Sequence, residues 1–420
     1  MKPARAAYIL GGDHTPFIGK FHPDFIWKGH PDFGKRSNPT IEQHLHRAVL
    51  SALEKTGVPP GAVQKGYVGN FTGEIFARQG HLGAMLASAH PDLALKPFAR
   101  LEGACASGGL ALLAAVDAVG AGWDVVLAAG VEVQTTLSAK DGADALARAA
   151  HYATERSLDP FTFPCMFARR MRAWCDKYGF TPADVSAVVV KAYENASRNP
   201  YAHMRAYRLT AREAKEPSDK NPLFLENAQY RDWLKVSDCS QVSDGASAAL
   251  VVSEQGLRML GKRREQAIEL LAYGHATAPL DGERDYTALT TTAAAAREAY
   301  RDAGLQPGDV QVAEVHDCFS IAEIQMYEAL GFAAAGKGLE LVREGAVQIG
   351  GRLPVNTGGG LMAFGHPVGA TGVKQVIEIY RQMKGLCGDY QVPSHPGVGL
   401  AANMGGDDRT SVVTLYRDAS

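Results

Sequence analysis

The chain has 420 residues, 46% of them hydrophobic, with 43 Lys plus Arg against 45 Asp plus Glu. That apolar content belongs to a folded chain of two or three domains. A formal charge of −2 gives no electrostatic reason to expect nucleic acid or an anionic membrane as partner. Six cysteines, at 105, 165, 175, 239, 318 and 387, form no C-x-x-C pair and no compact framework, a pattern expected of a reduced, cytoplasmic protein. The opening MKPARAAYILGGD meets glycine and acid too soon for a signal peptide. The most apolar run, 110–131, carries Asp117 and Asp124 and is not expected to span a membrane.

In chain order, Ser51–Asn70 reads as an amphipathic helix stopped by Gly57, a Pro60-Gly61 turn and a short apolar strand. Ala104–Gly108 opens a helix that leads to a strand at Asp124–Ala129. Between Val131 and Leu234 charges, prolines and aromatics crowd in, which marks an insertion over the core. Its one candidate strand, Val185–Val190, follows Thr-Pro-Ala-Asp, which fits a helix start equally well. The run Asp244–Glu254 is rich in β formers. Glu298–Asp317 then repeats the first pattern, Gly304 aligning with Gly57, Pro307 with Pro60 and Val315 with Val68. Gly369–Gly372 opens another helix leading to Gly399–Asn403, and Asp408–Asp418 resembles 244–254. A duplicated α/β unit with buried strands explains this order. The expected parts are 1–130 plus 235–265, an inserted 131–234, and 266–420.

Three places carry candidate chemistry. Cys105, in Glu102-Gly-Ala-Cys-Ala-Ser-Gly-Gly, sits where a helix begins, so the helix dipole favours its thiolate; the alternative is a small buried core cysteine. His366 lies in a seventeen-residue run, 356–372, with six glycines, and is either a base for that thiol or a loop histidine. His316-Asp-Cys318-Phe follows the second repeat's strand, at the end where α/β sheets present their sites. Gly358-x-Gly360-x-x-Ala363 matches a loose dinucleotide fingerprint, but Pro367 falls where the helix should already run. The doubled HPDF at 22–25 and 30–33 reads as an exposed loop, not a metal site. Arg169, Arg170 and Arg172 are either a phosphate contact or a solvated face.

Taken together, GACASGG at 103–109, HDCF at 316–319, GGGLMAFGHPVGATG at 358–372 and NMGG at 403–406 resemble the thiolases, in motif order. His14–Phe21 and the S-x-x-x-D-G-A segment at 240–246 extend the likeness over nearly the whole chain. HDCF places it near the sterol-carrier-protein-associated and archaeal-type branch. The resemblance implies an α/β fold, a five-layer α-β-α-β-α sandwich of two duplicated halves, with the insertion as a loop domain over the CoA site.

It further implies acyl transfer between CoA thioesters, making or cleaving 3-ketoacyl-CoA. Cys105 would be the nucleophile and His366 its base. Cys318 would take the place of the family's second cysteine, whose usual position is here Asn403. His316 and His366 would donate to the enolate oxygen, and the N–H groups of Cys105 and Gly405 would form the other oxyanion hole. Ser240 would contact pantetheine, Phe319 and Met166 would line the acyl pocket, and Arg169 or Arg172 would meet the CoA phosphates. No metal or redox cofactor is implied; acyl-CoA and CoA are substrates. A homodimer or homotetramer is expected. Related members transfer acyl groups to non-CoA acceptors, sometimes with a small partner protein, or cleave carbon–carbon bonds; a non-catalytic acyl-CoA binding protein is the remaining alternative.

Overall fold

The computed structural model describes residues 1–419. Its first half contains β1 (Ala7–His14), α1 (Ile41–Thr56), β2 (Lys65–Gly69), β3 (Phe98–Leu101), α2 (Ser107–Gly120) and β4 (Val125–Glu132). A helical stretch with α3 (Ala139–Leu146), α4 (Thr162–Tyr178) and α5 (Pro182–Ala196) precedes β5 (Gly245–Ser253). The second half contains β6 (Ile268–Thr277), α6 (Thr290–Ala303), β7 (Val312–Glu314), α7 (Ser320–Ala329), α8 (Thr371–Met383), β8 (Val398–Gly405) and β9 (Thr410–Asp418).

Local chemistry accounts for the helices. In α1, Ile41, Leu45, Ala48, Val49, Ala52 and Leu53 fall on one buried face. Thr40 and Gln43 form a reciprocal capping box, and Gly57, at φ 64°, ends the helix in the left-handed conformation glycine tolerates best. Gly304, at φ 69°, ends α6 in the same way. The ambiguous Val185–Val190 lies inside α5, because Thr181 and Asp184 cap it as a helix and Pro182 occupies its first turn.

The strands hydrogen-bond in the order β3-β2-β4-β5-β1-β6-β9-β8-β7. β2–β4 and β7–β8 are parallel, while β4–β5, β5–β1, β8–β9 and β9–β6 are antiparallel. The duplication reaches into detail. Leu10 in β1 and Leu271 in β6 are the extra residues of bulges at matching positions, and β1 meets β6 antiparallel with Ala7 opposite Leu270 and Ile9 opposite Ile268. Asp244, before β5, accepts from Gln134 N–H (2.6 Å), Thr135 N–H (3.0 Å) and the Thr135 hydroxyl (2.5 Å). Asp408, before β9, accepts the equivalent set from Thr291 N–H (2.8 Å), Thr292 N–H (3.0 Å) and the Thr292 hydroxyl (2.7 Å).

Strand alternation sorts the layers. Ala7, Ile9, Val126, Ala128, Leu270, Val412 and Tyr416 face a central layer made of α2 and α8, where Leu112, Val116, Ile379 and Met383 pack against them. Tyr8, Leu127 and Leu250 point the other way, onto Leu45, Val49 and Leu53 of α1. Val413 and Leu415 point outward onto Ala295, Ala296 and Ala299 of α6. Helix, sheet, helix pair, sheet, helix: the five expected layers are present.

The two central helices meet at their N-termini with almost no room between them. A Cβ on Gly108 would lie 2.8 Å from the Gly369 carbonyl oxygen, and one on Gly372 would overlap Gly109 N. The small residues after Cys105 therefore serve helix–helix contact. This contact brings the starts of the two halves' equivalent helices side by side.

Candidate active site

Cys105 lies in a single 3-10 turn, Ala104–Ala106, that leads into α2. Ala104 is held at φ 52°, unfavourable for a residue with a Cβ. The turn is tied down locally: Ser107 Oγ donates to Ala104 O (2.6 Å) and accepts from Gly103 N–H (3.0 Å). The thiol is partly open to a cavity of about 440 Å³, which Cys318, Phe319, Ser240 and His366 also line. Its own N–H and that of Gly406 act on the sulfur in the direction that favours the thiolate. Gly405, expected in the oxyanion hole, is the last residue of β8 in register with Thr410, and its neighbour Gly406 lines the cavity.

His316 and His366 stand ring edge to ring face, with centroids 5.1 Å apart at 86°. Their hydrogen bonds define opposite tautomers. His316 Nδ1 accepts from Met404 N–H (3.3 Å), and Asn403 Nδ2 stands 3.2 Å away, so its ring proton sits on Nε2. Thr371 Oγ donates to Pro367 O (3.1 Å) and faces His366 Nδ1 at 2.6 Å, so His366 Nδ1 donates and Nε2 carries the lone pair. Both Nε2 atoms are buried and lack a hydrogen-bond partner. One Nε2 thus presents a proton and the other a lone pair.

Cys105, His316 and His366 place ligand-type atoms within 4.8 Å of one another. A metal there would need the His316 Nε2 lone pair, which moves the proton to Nδ1 and against the Met404 N–H. The donor set does not suit a resident ion.

Electrostatics keep this cluster neutral at rest. Burial, with Glu132 and Glu102 adding to it, pushes the Cys105 thiol up to about 12 against the pull of the Gly406 N–H. The helix dipole expected to favour the thiolate does not prevail. Burial and then Lys374 bring His366 down to about 3, and burial and then His366 hold His316 well below the usual imidazole range. Burial, reinforced by Cys105, raises the Cys318 thiol well above its ordinary value.

Long-range contacts hold the parts in place. Asn403 bridges three of them, donating to Cys105 O (3.1 Å), accepting from Gly109 N–H (3.1 Å) and facing His316. Asp317 accepts from Leu361 N–H (2.6 Å) and so ties the HDCF turn to the glycine-rich loop of His366. Gly360 passes this carboxylate at φ 64°, and any Cβ there would overlap Asp317 Oδ2. Asp407, next to Gly406, is buried between Arg170 and Arg284; against the burial that pushes it up, the two guanidiniums hold its carboxyl below the usual range.

Some expected contacts are elsewhere. Ser240 lines the cavity, with its N–H on Cys318 O at 2.9 Å. Phe319 lines it too, stacked on Phe167 with centroids 4.3 Å apart. Met166, Arg169 and Arg172 do not line it. Helix α4 turns Phe163 and Phe167 to the cavity and buries Met166. Arg169 stacks on Tyr286 at 4.1 Å and pairs with Glu155 at 3.7 Å, and Arg172 pairs with Asp176 at the surface. Sequence reading gave no structural role to Arg170, nor any role to Glu132, a buried carboxylate accepting from Asn70 Nδ2 (2.8 Å) and Phe71 N–H (2.9 Å) that burial raises to about 7. An acid ending the apolar run of β4 was the available signal. Each HPDF histidine accepts the N–H of its own aspartate at 3.1 Å, which makes a turn; the first of these loops adds Lys20 and Phe25 to the cavity wall.

A duplicated five-layer core with two thiols and a histidine on one cavity, and a second buried histidine against the first, defines a class of cysteine-dependent α/β enzymes. Residues 30–212 match the thiolase N-terminal domain and residues 272–418 the thiolase C-terminal domain-like family. An acetyl-CoA acetyltransferase of Methanothermobacter thermautotrophicus is 36% identical over 88% of this chain and 92% of its own. The benzoylsuccinyl-CoA thiolase subunit BbsB of Thauera aromatica is 30% identical over 86% and 89%. Among solved structures, an Ltp2-ChsH2(DUF35) aldolase superposes with a TM-score of 0.76 at 24% identity, covering 100% of this chain and 99% of that one. The chain belongs to the thiolase family.

Proposed function

We propose that this protein is a thiolase, an acyl-CoA:acetyl-CoA C-acyltransferase that makes or cleaves 3-ketoacyl-CoA through an acyl group on Cys105. The observation that carries this reading is the pairing of two cavity thiols, Cys105 and Cys318, with two buried histidines of opposite tautomer. Identity to acetyl-CoA acetyltransferases over most of the chain supports it.

In the thiolytic direction, Cys105 passes its proton to His366 Nε2 as the sulfur attacks the 3-keto carbon. The alkoxide is held by the N–H groups of Cys105 and Gly406. Its collapse breaks the C2–C3 bond, His316 Nε2–H stabilises the departing enolate oxygen, and Cys318 protonates its carbon. CoA then gives its thiol proton to Cys318 and attacks the acyl group, and Cys105 leaves as thiolate and recovers its proton from His366. Condensation is the reverse. A donor lost from either oxyanion site costs on the order of 10²–10³ in rate.

In this reading 131–234 is the loop domain covering CoA, and 1–130 with 235–265, together with 266–420, are the two catalytic halves. No metal or redox cofactor takes part. Lys20, the one permanently charged side chain lining the cavity among the described residues, takes the phosphate contact expected of Arg169 or Arg172. The protein works in the cytoplasm as a homodimer or homotetramer; a small partner chain is a second reading, supported by a relative named as a subunit and a neighbour named with a DUF35 partner. The test is intact-protein mass after acetoacetyl-CoA, with Cys105→Ala as control. An acetyl adduct on the unaltered protein alone, discharged by CoA, is expected; no adduct with any 3-ketoacyl-CoA would remove the mechanism.

A further inference from the structure

The cavity wall around Cys105 divides by chemistry. One polar stretch comes from Lys20, His203 and Ser240–Gln241, with His203 Nε2 at 2.8 Å from Lys20 O and its Nδ1 at 3.0 Å from Ser243 Oγ. Gln134, Thr135 and Ser138 also line the cavity, their side-chain oxygens already bonded to Val368 N–H (2.9 Å), Asp244 (2.5 Å) and Asp141 (2.7 Å). Its apolar stretch is a single packed cluster in which Phe71, Leu146, Ala149, Phe163 and Val368 surround Cys105 itself. Phe76 adds to this stretch, lodged against α3 where Gly142 leaves space: a Cβ there would lie 3.6 Å from its ring. Apart from Lys20, no charged side chain lines any part of the cavity among the described residues.

An acetyl group on Cys105 touches only a fraction of such a wall. The remaining space would fall to water, which needs two to four polar partners and finds few beside phenylalanine and leucine. Aromatic edges and faces are instead satisfied by another ring. A carboxylate or ammonium on the acyl group would lose its hydration there without a partner.

Resting on the thiolase reading above, we propose that the acyl group carried on Cys105 is uncharged and ring-bearing, about the size of benzoyl, and that acetyl is a poor occupant of this chamber. The polar stretch then holds the CoA arm, and selectivity lies in the wall formed by Phe71, Phe76, Leu146 and Phe163.

The experiment measures thiolysis of benzoylacetyl-CoA and acetoacetyl-CoA by the full chain, identifying the acyl adduct by mass. One extra methylene in an apolar pocket is worth on the order of 10-fold or more in kcat/KM, so a preference for benzoylacetyl-CoA of at least about 10- to 100-fold is expected. Leu146→Trp, which fills the chamber, should erode that preference by about 10-fold or more, lowering turnover of the ring-bearing substrate much further than that of acetoacetyl-CoA. Equal rates with the two substrates, or a preference for acetoacetyl-CoA, overturns the proposal and leaves the thiolase reading standing. The comparison on the unaltered protein decides this even where the variant fails to fold. Silence with both substrates and no adduct on Cys105 overturns both.

Discussion

Alkylation of Cys105 by iodoacetamide as a function of pH tests whether the site rests neutral or as a thiolate–imidazolium pair. The thiol is raised from 9.0 to about 12, chiefly by burial, so at pH 7.5 the thiolate fraction falls by about 10³ relative to an ordinary cysteine. The more basic sulfur is intrinsically more nucleophilic: a Brønsted coefficient of about 0.4–0.5 restores roughly 20-fold of this. The net expectation is a rate about 50-fold below that of an exposed thiol. Because neither Cys105 nor His366, brought down to about 3, titrates between pH 5 and 9, log rate should climb with unit slope across that range. The assay is quantitative mass spectrometry of the peptide containing Cys105 after timed alkylation, with His366→Asn in parallel. A rate that plateaus between pH 6 and 8, and loses its plateau in His366→Asn, would show a preformed ion pair and refute the argument that burial prevails over the helix dipole.

Three further outcomes follow from the packing. Gly360→Ala forces a Cβ into Asp317 at a positive φ and should cost about 2–4 kcal/mol, seen as a melting temperature lower by several degrees; an unchanged melt would mean the loop relaxes freely. Asn403→Ala unpairs Gly109 N–H and frees the Cys105 carbonyl and the His316 ring, so kcat should fall about 10- to 100-fold with a smaller change in KM; steady-state kinetics showing the reverse split would assign Asn403 to substrate binding. His366, His203 and His44 are lowered from 6.5 to about 3, about 4 and about 4, in each case first by burial, so the unfolded chain binds their protons first. The stability they contribute is complete above pH 6.5 and declines as pH falls, by about 2 kcal/mol each at pH 5; urea midpoints at pH 7.5 and 5.0 should differ accordingly, and less so in His203→Asn.

The elements legible in the sequence were those whose causes are local. α1 and α6 were readable from apolar spacing and a terminal glycine, since both the periodicity and the left-handed cap are properties of a few consecutive residues. The duplication was readable because each copy kept its Pro-Gly turn and its strand. β1 and β6 were not: both are interrupted by a bulge and glycines, and β1 is buried on both faces, so no two-residue alternation marks them.

The same division runs through the site. Cys105, His366, His316 and Cys318 stood out because small residues and turns frame each of them within a short stretch of chain. Which N–H faces the thiol, which way each imidazole carries its proton, and which arginines are free for a phosphate depend on partners far away in sequence, such as Met404 against His316 or Tyr286 against Arg169. By itself the sequence determined the residue types, the repeat and the turns, because these act over a handful of neighbouring residues. Tertiary structure alone decided the protonation of the two thiols and two histidines, because desolvation is set by the whole surroundings of a buried group and not by its neighbours in the chain.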